Sequence, residues 1–148
     1  MHQISFSARF EEEATALSLD HSTLDKIGED LKKHLDAIHR GTGEMPVPYL
    51  GNTSPFTYPQ SAYDAPLYRI HVFDINCPNF NDKEQTRWNK ASQLHHRTSD
   101  TYFVFTRNFL SEFECRFIGV ISDAHNTCRT NKTWYVPFVE EADRFNNI

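Results

Sequence analysis

RTSDTYFVFTRNFLSEFECRFIGVISDAHNTCRTNK, residues 97–132, decides how this chain is read. Two dense apolar runs lie inside it, Thr101–Thr106 (TYFVFT) and Phe113–Ile121 (FECRFIGVI), joined by the polar turn Arg107–Glu112. Both are short, rich in β-branched and aromatic residues, and bounded by turn formers, so they read as two strands of a hairpin. The segment after the second strand, SDAHNTCRTNK, reads as a loop carrying His125, Arg129, Asn131 and Lys132. A rigid hairpin presenting such a loop is a common way to hold groups that move protons and bind anions.

Working outward, the N-terminal residues 3–10 alternate and suggest a first strand. Ser22, with Asp25 three positions on, has the pattern of a helix cap. Leu24, Ile27, Leu31, Leu35 and Ile38 then recur at three- and four-residue steps and share one helical face, ending at Gly41 and Gly43. Residues 41–66 hold five of the seven prolines and three of the five glycines, which argues against regular structure. The aromatic residues within them argue for an ordered loop that packs. LYRIHVFDI (67–75) alternates, placing Leu67, Arg69, His71 and Phe73 on one side of a strand. A polar stretch from Cys77 to Ser99 has room for a short helix around residues 83–93. Pro137, followed by Glu140 and Glu141, opens a terminal helix.

This order predicts one α+β domain over residues 1–148: an antiparallel sheet with helices packed on one face and a long ordered loop after the first helix. The three cysteines, Cys77, Cys115 and Cys128, have no disulfide-framework spacing, and the opening MHQISFSARFEEE lacks the pattern of a signal peptide. No window approaches the roughly 18 apolar residues of a membrane span. A cytoplasmic protein with reduced thiols and no membrane contact is the expectation. Net charge is −5, yet residues 67–132 hold 9 Lys/Arg against 7 Asp/Glu. A generally basic nucleic-acid binder is excluded and a local basic site is not. Five glycines leave no phosphate-loop or dinucleotide pattern.

Several words of the chain resemble the YafO family of type II toxin–antitoxin toxins, whose overall shape is RelE/ParE-like. They are RIHV at 69–72, RTSD at 97–100, FIGVI at 117–121, HNTCRTN at 125–131 and EEADRF at 140–145. The spacing His125, three residues, Arg129, one residue, Asn131 is the most specific. The resemblance covers about Leu67–Phe145. It implies a ribosome-dependent mRNA interferase, an endoribonuclease neutralised by a cognate antitoxin protein, with mRNA and the ribosome as further partners.

Cleaving RNA through its own 2′-OH requires a base for that hydroxyl, donors for the crowded phosphorane and an acid for the departing 5′-oxygen. No cofactor or metal is required. Histidine, with an unperturbed pKa of about 6.5, suits the proton roles, and arginine suits the phosphate. His125 is the first choice for proton transfer and His71 the second. Arg129 and Lys132 are placed on the phosphate, assisted by Arg69 or Arg97, with Asn131 also in the RNA-binding set. Tyr135, with Trp134, is placed under a base. Each has a plainer reading: His71 as a sheet-face residue, Arg69 and Arg97 paired with Asp74 and Asp100, Trp134 as core. Two other classes remain. One is a metal site drawn from His71, Cys77, His95, His96, His125 and Cys128. The other is a non-catalytic ribosome- or partner-binding module.

Overall fold

The 97–132 hairpin forms the middle of a five-stranded sheet. The structure is a computed structural model that describes residues 1–20 and 23–147. In chain order the elements are β1 (Gln3–Phe6), α1 (Ala8–Leu17), α2 (Leu24–Arg40), β2 (Leu50–Pro55), α3 (Gln60–Asp64), β3 (Leu67–Val72), α4 (Asp82–Lys90), a 3-10 turn (Leu94–His96), β4 (Tyr102–Asn108), β5 (Ser111–Ile121), α5 (Ala124–Thr130) and α6 (Val136–Asn146). The strands lie in the order β1-β5-β4-β3-β2. Pairings among β2 to β5 are antiparallel, as the hairpin reading requires. β1 runs parallel to β5, so the α+β fold has a mixed sheet. That pairing joins the two ends of the sequence, and local alternation carries no sign of it.

Alternation along the central strands sorts the core into two layers. Phe103, Phe105 and Phe117 turn to one face, where Phe10 of α1 and Ile27, Leu31 and Leu35 of α2 cover them. Leu67, Tyr102, Val104 and Ile118 turn to the other, under Ala62 of α3, Ala124 of α5 and Phe138 and Ala142 of α6. Helices therefore lie on both faces, not the expected one. The cause is the sequence of β4 itself: it is apolar at every position from Tyr102 to Phe105, and a strand buried on both sides needs two covers. Each large side chain so buried contributes about 1.5–3 kcal/mol.

α2 follows its apolar stripe, with Thr23 as its cap, accepting from Lys26 N at 3.1 Å. Ser22, the cap expected from sequence, lies outside the described residues. Gly41 ends the helix at φ +68°, a left-handed conformation that suits glycine. α1, which the sequence pattern does not announce, is capped by Ser7, whose Oγ accepts from Phe10 N. Residues 41–66 are ordered but not without regular structure, since they contain β2 and α3. β2 tolerates its Pro55 because it is an edge strand. At Gly51 a Cβ would stand 2.5 Å from both the Arg97 carbonyl oxygen and the Trp88 ring. The absence of a side chain there lets α4 and the chain after it close onto β2. Trp88 is 2 % exposed and donates its indole N–H to Pro48 O, which pins α4 in place.

Candidate functional site

β3 carries the first half of the site. As its alternation predicts, Arg69 and His71 share the face that carries Leu67, and Tyr102 of β4 lies beside them. The chain from Thr98 to Thr101 borders the same space, α4 contributes Arg87, and α5 contributes His125. Together they enclose a cleft of about 670 Å³. A smaller depression of about 210 Å³ adjoins it, sharing Arg69, Tyr102 and His125, with Tyr58 at its rim.

His125 does not sit in a loop, as the sequence suggested, but in the first turn of α5. That helix was hidden because its cap is not local: Ala124 N donates to the Asp100 carbonyl at 2.9 Å, and His125 N donates to Asp100 Oδ1 at 2.7 Å. Asp100, expected as a partner for Arg97, instead receives the His125 imidazole, with Nδ1 2.8 Å from Oδ1. Nδ1 is thus the nitrogen turned to the carboxylate, and Nε2 has no hydrogen-bond partner among the described residues. The His125 side chain is 77 % exposed at the cleft mouth. Asn79 holds the other Asp100 oxygen, Oδ2, at 3.1 Å.

His71 Nδ1 meets the backbone of Ser99, 2.8 Å from N and 3.1 Å from O; the N–H can only donate, which places the proton of the neutral ring on Nε2. That nitrogen has no hydrogen-bond partner among the described residues and belongs to the cleft lining. Burial, and next the Arg69 charge, push the His71 pKa down to about 4, so the ring is uncharged near neutrality. The cleft thus holds two imidazoles, each anchored through Nδ1 and each with Nε2 unpartnered among the described residues.

Arg69 has no carboxylate partner among the described residues, and Asp74 is not its partner. Its guanidinium lies over the rings of Phe56 and Tyr102, at 4.8 and 5.3 Å from the centroids, and its Nε is buried without an acceptor. Stacked on two rings, it places a guanidinium at the junction of the two depressions. Arg87 is tied to Glu84 and to the Thr98 carbonyl, the latter at 3.0 Å.

The other expected site residues disperse. Arg97 is half-buried and donates through Nη1 to Val47 O and Leu50 O, at 3.2 and 3.1 Å, which makes it a strut for β2. Arg129 lies one turn beyond His125 on α5, exposed, with Nη2 3.2 Å from Asn126 Oδ1. Asn131 accepts from Thr133 N and closes the turn after α5, while Lys132 is exposed beside it. Trp134 is core, 4.9 Å from the Phe56 ring, and Tyr135 is half-buried against it. Among the described residues no three His, Cys, Asp or Glu side chains converge as a metal-holding group. Asp100, Tyr102 and Arg87 were not expected as site residues. The RTSD word held a signal for Asp100, but its relation to His125 spans 25 positions and exists only in the fold.

With this geometry in view, comparison with known proteins adds one finding. The family described as "Toxin YafO, type II toxin-antitoxin system" matches residues 33–147, more than three quarters of the chain. No curated protein and no solved structure matches. No helix among the described residues is long and apolar enough to cross a membrane.

Proposed function

Since the chain belongs to the YafO toxin family of type II toxin–antitoxin systems, which implies a cognate antitoxin, we propose that it is an endoribonuclease cutting mRNA on the translating ribosome in the cytoplasm. The observation that carries this reading is the pair of cleft histidines, His125 with Nδ1 on Asp100 and His71 with Nδ1 on Ser99, beside Arg69, which has no carboxylate partner among the described residues.

In the proposed reaction His125 Nε2 takes the proton of the 2′-OH, and Asp100 stabilises the imidazolium that results. The 2′-oxygen bonds to phosphorus and the bond from phosphorus to the 5′-oxygen breaks, leaving a cyclic phosphate. Arg69 and the His71 Nε2–H stabilise the charge that builds on the non-bridging oxygens. His71, uncharged near neutrality, serves as a hydrogen-bond donor, and water in the open cleft protonates the departing 5′-oxygen. Arg129 and Lys132, on the side of α5 and just beyond it, meet the flanking strand. Asn131 and Tyr135 lie beyond α5, outside the cleft lining, and have no part in the reacting groups. Arg97 acts by holding the cleft wall.

Induction in bacteria tests this. The wild-type chain is expected to arrest growth with fragmented mRNA, and soluble His125→Ala to leave mRNA intact. Arrest with intact mRNA in both strains would refute the nuclease reading and leave a toxin that acts by binding.

A further inference from the structure

A second depression of about 680 Å³ lies along α4 and the 3-10 turn, and every charged or titratable side chain that lines it is basic or histidine. Lys83, Thr86, Arg87 and Lys90 recur at three- and four-residue steps, so they form one stripe on the exposed side of α4. His95 and His96 close the far side, with ring centroids 4.1 Å apart. Lys83 and Lys90 are exposed, and neither has an ion-pair partner among the described residues. Of the acids of this helix, Asp82 and Glu84 occupy its first turn and neither lines the depression, though Glu84 reaches the stripe by pairing with Arg87. On a chain of net charge −5, such a face invites a polyanion.

Two features make it more than a solvated helix face. It is held rigidly, because Trp88 on the opposite side of α4 is buried and anchored to Pro48. It is also continuous with the cleft, since Arg87 and Thr98 line both. From Lys83 to Lys90 the stripe runs roughly 10 Å along the helix axis, more than one phosphate can fill.

We propose that this α4 face is a backbone-binding track for the RNA strand, leading from the cleft along Arg87 to Lys83, Lys90, His95 and His96. The inference rests on the nuclease reading for its direction, because the shared Arg87 joins the track to the site of cleavage. Contacts here go to phosphates, so the track contributes affinity and position without reading sequence. An acidic protein segment is the rival occupant, but it would have no reason to continue into the cleft.

The test uses a short 2′-O-methyl oligoribonucleotide, which cannot be cleaved, and fluorescence anisotropy between about 50 and 200 mM salt. The double variant Lys83→Gln/Lys90→Gln is expected to bind at least about tenfold more weakly at the low-salt end. Its salt slope should flatten by about 0.7 for each phosphate that is no longer neutralised. Lys32→Gln/Lys33→Gln, exposed on α2, removes the same charge elsewhere and is expected to bind as wild type does. Equal weakening in both double variants would overturn the track, because net charge alone would then explain the binding. So would unchanged RNA affinity, with or without a weaker hold by the antitoxin. A wild-type chain that binds RNA through Lys83 and Lys90 but leaves mRNA intact in cells would sink the nuclease reading alone. One that cleaves while the α4 variant binds normally would sink the track alone.

Discussion

On the α1–α2 side of the sheet, His34 is 1 % exposed and gives its Nε2 to Thr53 Oγ1 at 2.8 Å, and that hydroxyl continues to Gly51 O. On the opposite side, His71 is 5 % exposed and turns Nδ1 to Ser99 N–H. Burial, before any charge, lowers both pKa values to about 4. Each ring uses one nitrogen on the protein, but His34 is buried on the covered face while His71 lines the cleft. The same contrast holds for charge. Buried Asp30 is met by Lys26 and by the Tyr49 hydroxyl, whereas Arg69 has only aromatic faces. The α1–α2 face is closed by its helices, whereas the other opens on the cleft that His71 and Arg69 line. Arg107, stacked over Tyr68 and Phe105 with its Nε buried and unsatisfied, shows that unpaired groups are not confined to the open face.

The sharpest way to break this comparison is to separate stability from activity. Phe10→Ala, in the closed face, is expected to cost about 3–5 kcal/mol in urea unfolding. His125→Ala, at an exposed position of the open face, should leave the unfolding midpoint nearly unchanged. If His125→Ala destabilised the protein as Phe10→Ala does, the cleft would be structural and the distinction would fall.

A second, smaller effect comes from pH. A histidine whose pKa falls from 6.5 in the unfolded chain to about 4 in the folded one binds fewer protons when folded. Its contribution is therefore present above pH 6.5 and lost as pH falls through that window toward 4. For each of His34 and His71 the loss is on the order of 3 kcal/mol. Unfolding of His34→Gln and His71→Gln as a function of pH should each show about half the wild-type dependence. A bound uncleavable RNA should change the share of His71 and leave that of His34 alone. Equal sensitivity of both to RNA would contradict the open-and-closed distinction.

The smallest effect tests how the open face is built. A Cβ on Gly119 would stand 2.3 Å from the Phe138 ring of α6 and 3.0 Å from Glu13 Oε1. Gly119→Ala should therefore cost about 1–3 kcal/mol by pushing α6 away, readable as a lower thermal midpoint. An unchanged midpoint would mean that α6 is not seated as tightly as the second core requires.

Much of the frame was legible in the sequence because it is periodic. The α2 stripe, the alternation that sets Arg69 and His71 on one face, and the β4–β5 hairpin all follow from spacing, and each appears in the fold. What stayed hidden depends on partners far along the chain. α5 looked like a loop because its cap is Asp100, and β1 gave no hint that it would pair with β5 in parallel. For the same reason the cluster His125, Arg129, Asn131 and Lys132 was visible as a word, while the pairing of His125 with Asp100 was not. Arg97 shows the limit from the other side. An arginine beside a strand looks like a phosphate ligand until the carbonyls of Val47 and Leu50 are found on it.

The most direct measurement is the single-turnover rate of mRNA cleavage on purified ribosomes, with wild type beside His125→Ala and Asp100→Asn. Products ending in a cyclic phosphate are expected, with a loss of about 10²–10⁴-fold in His125→Ala. Asp100→Asn should fall between the two, with thermal midpoints close to wild type. Cleavage by His125→Ala at the wild-type rate would contradict the assignment of this histidine as the base and, with it, the central claim for the cleft.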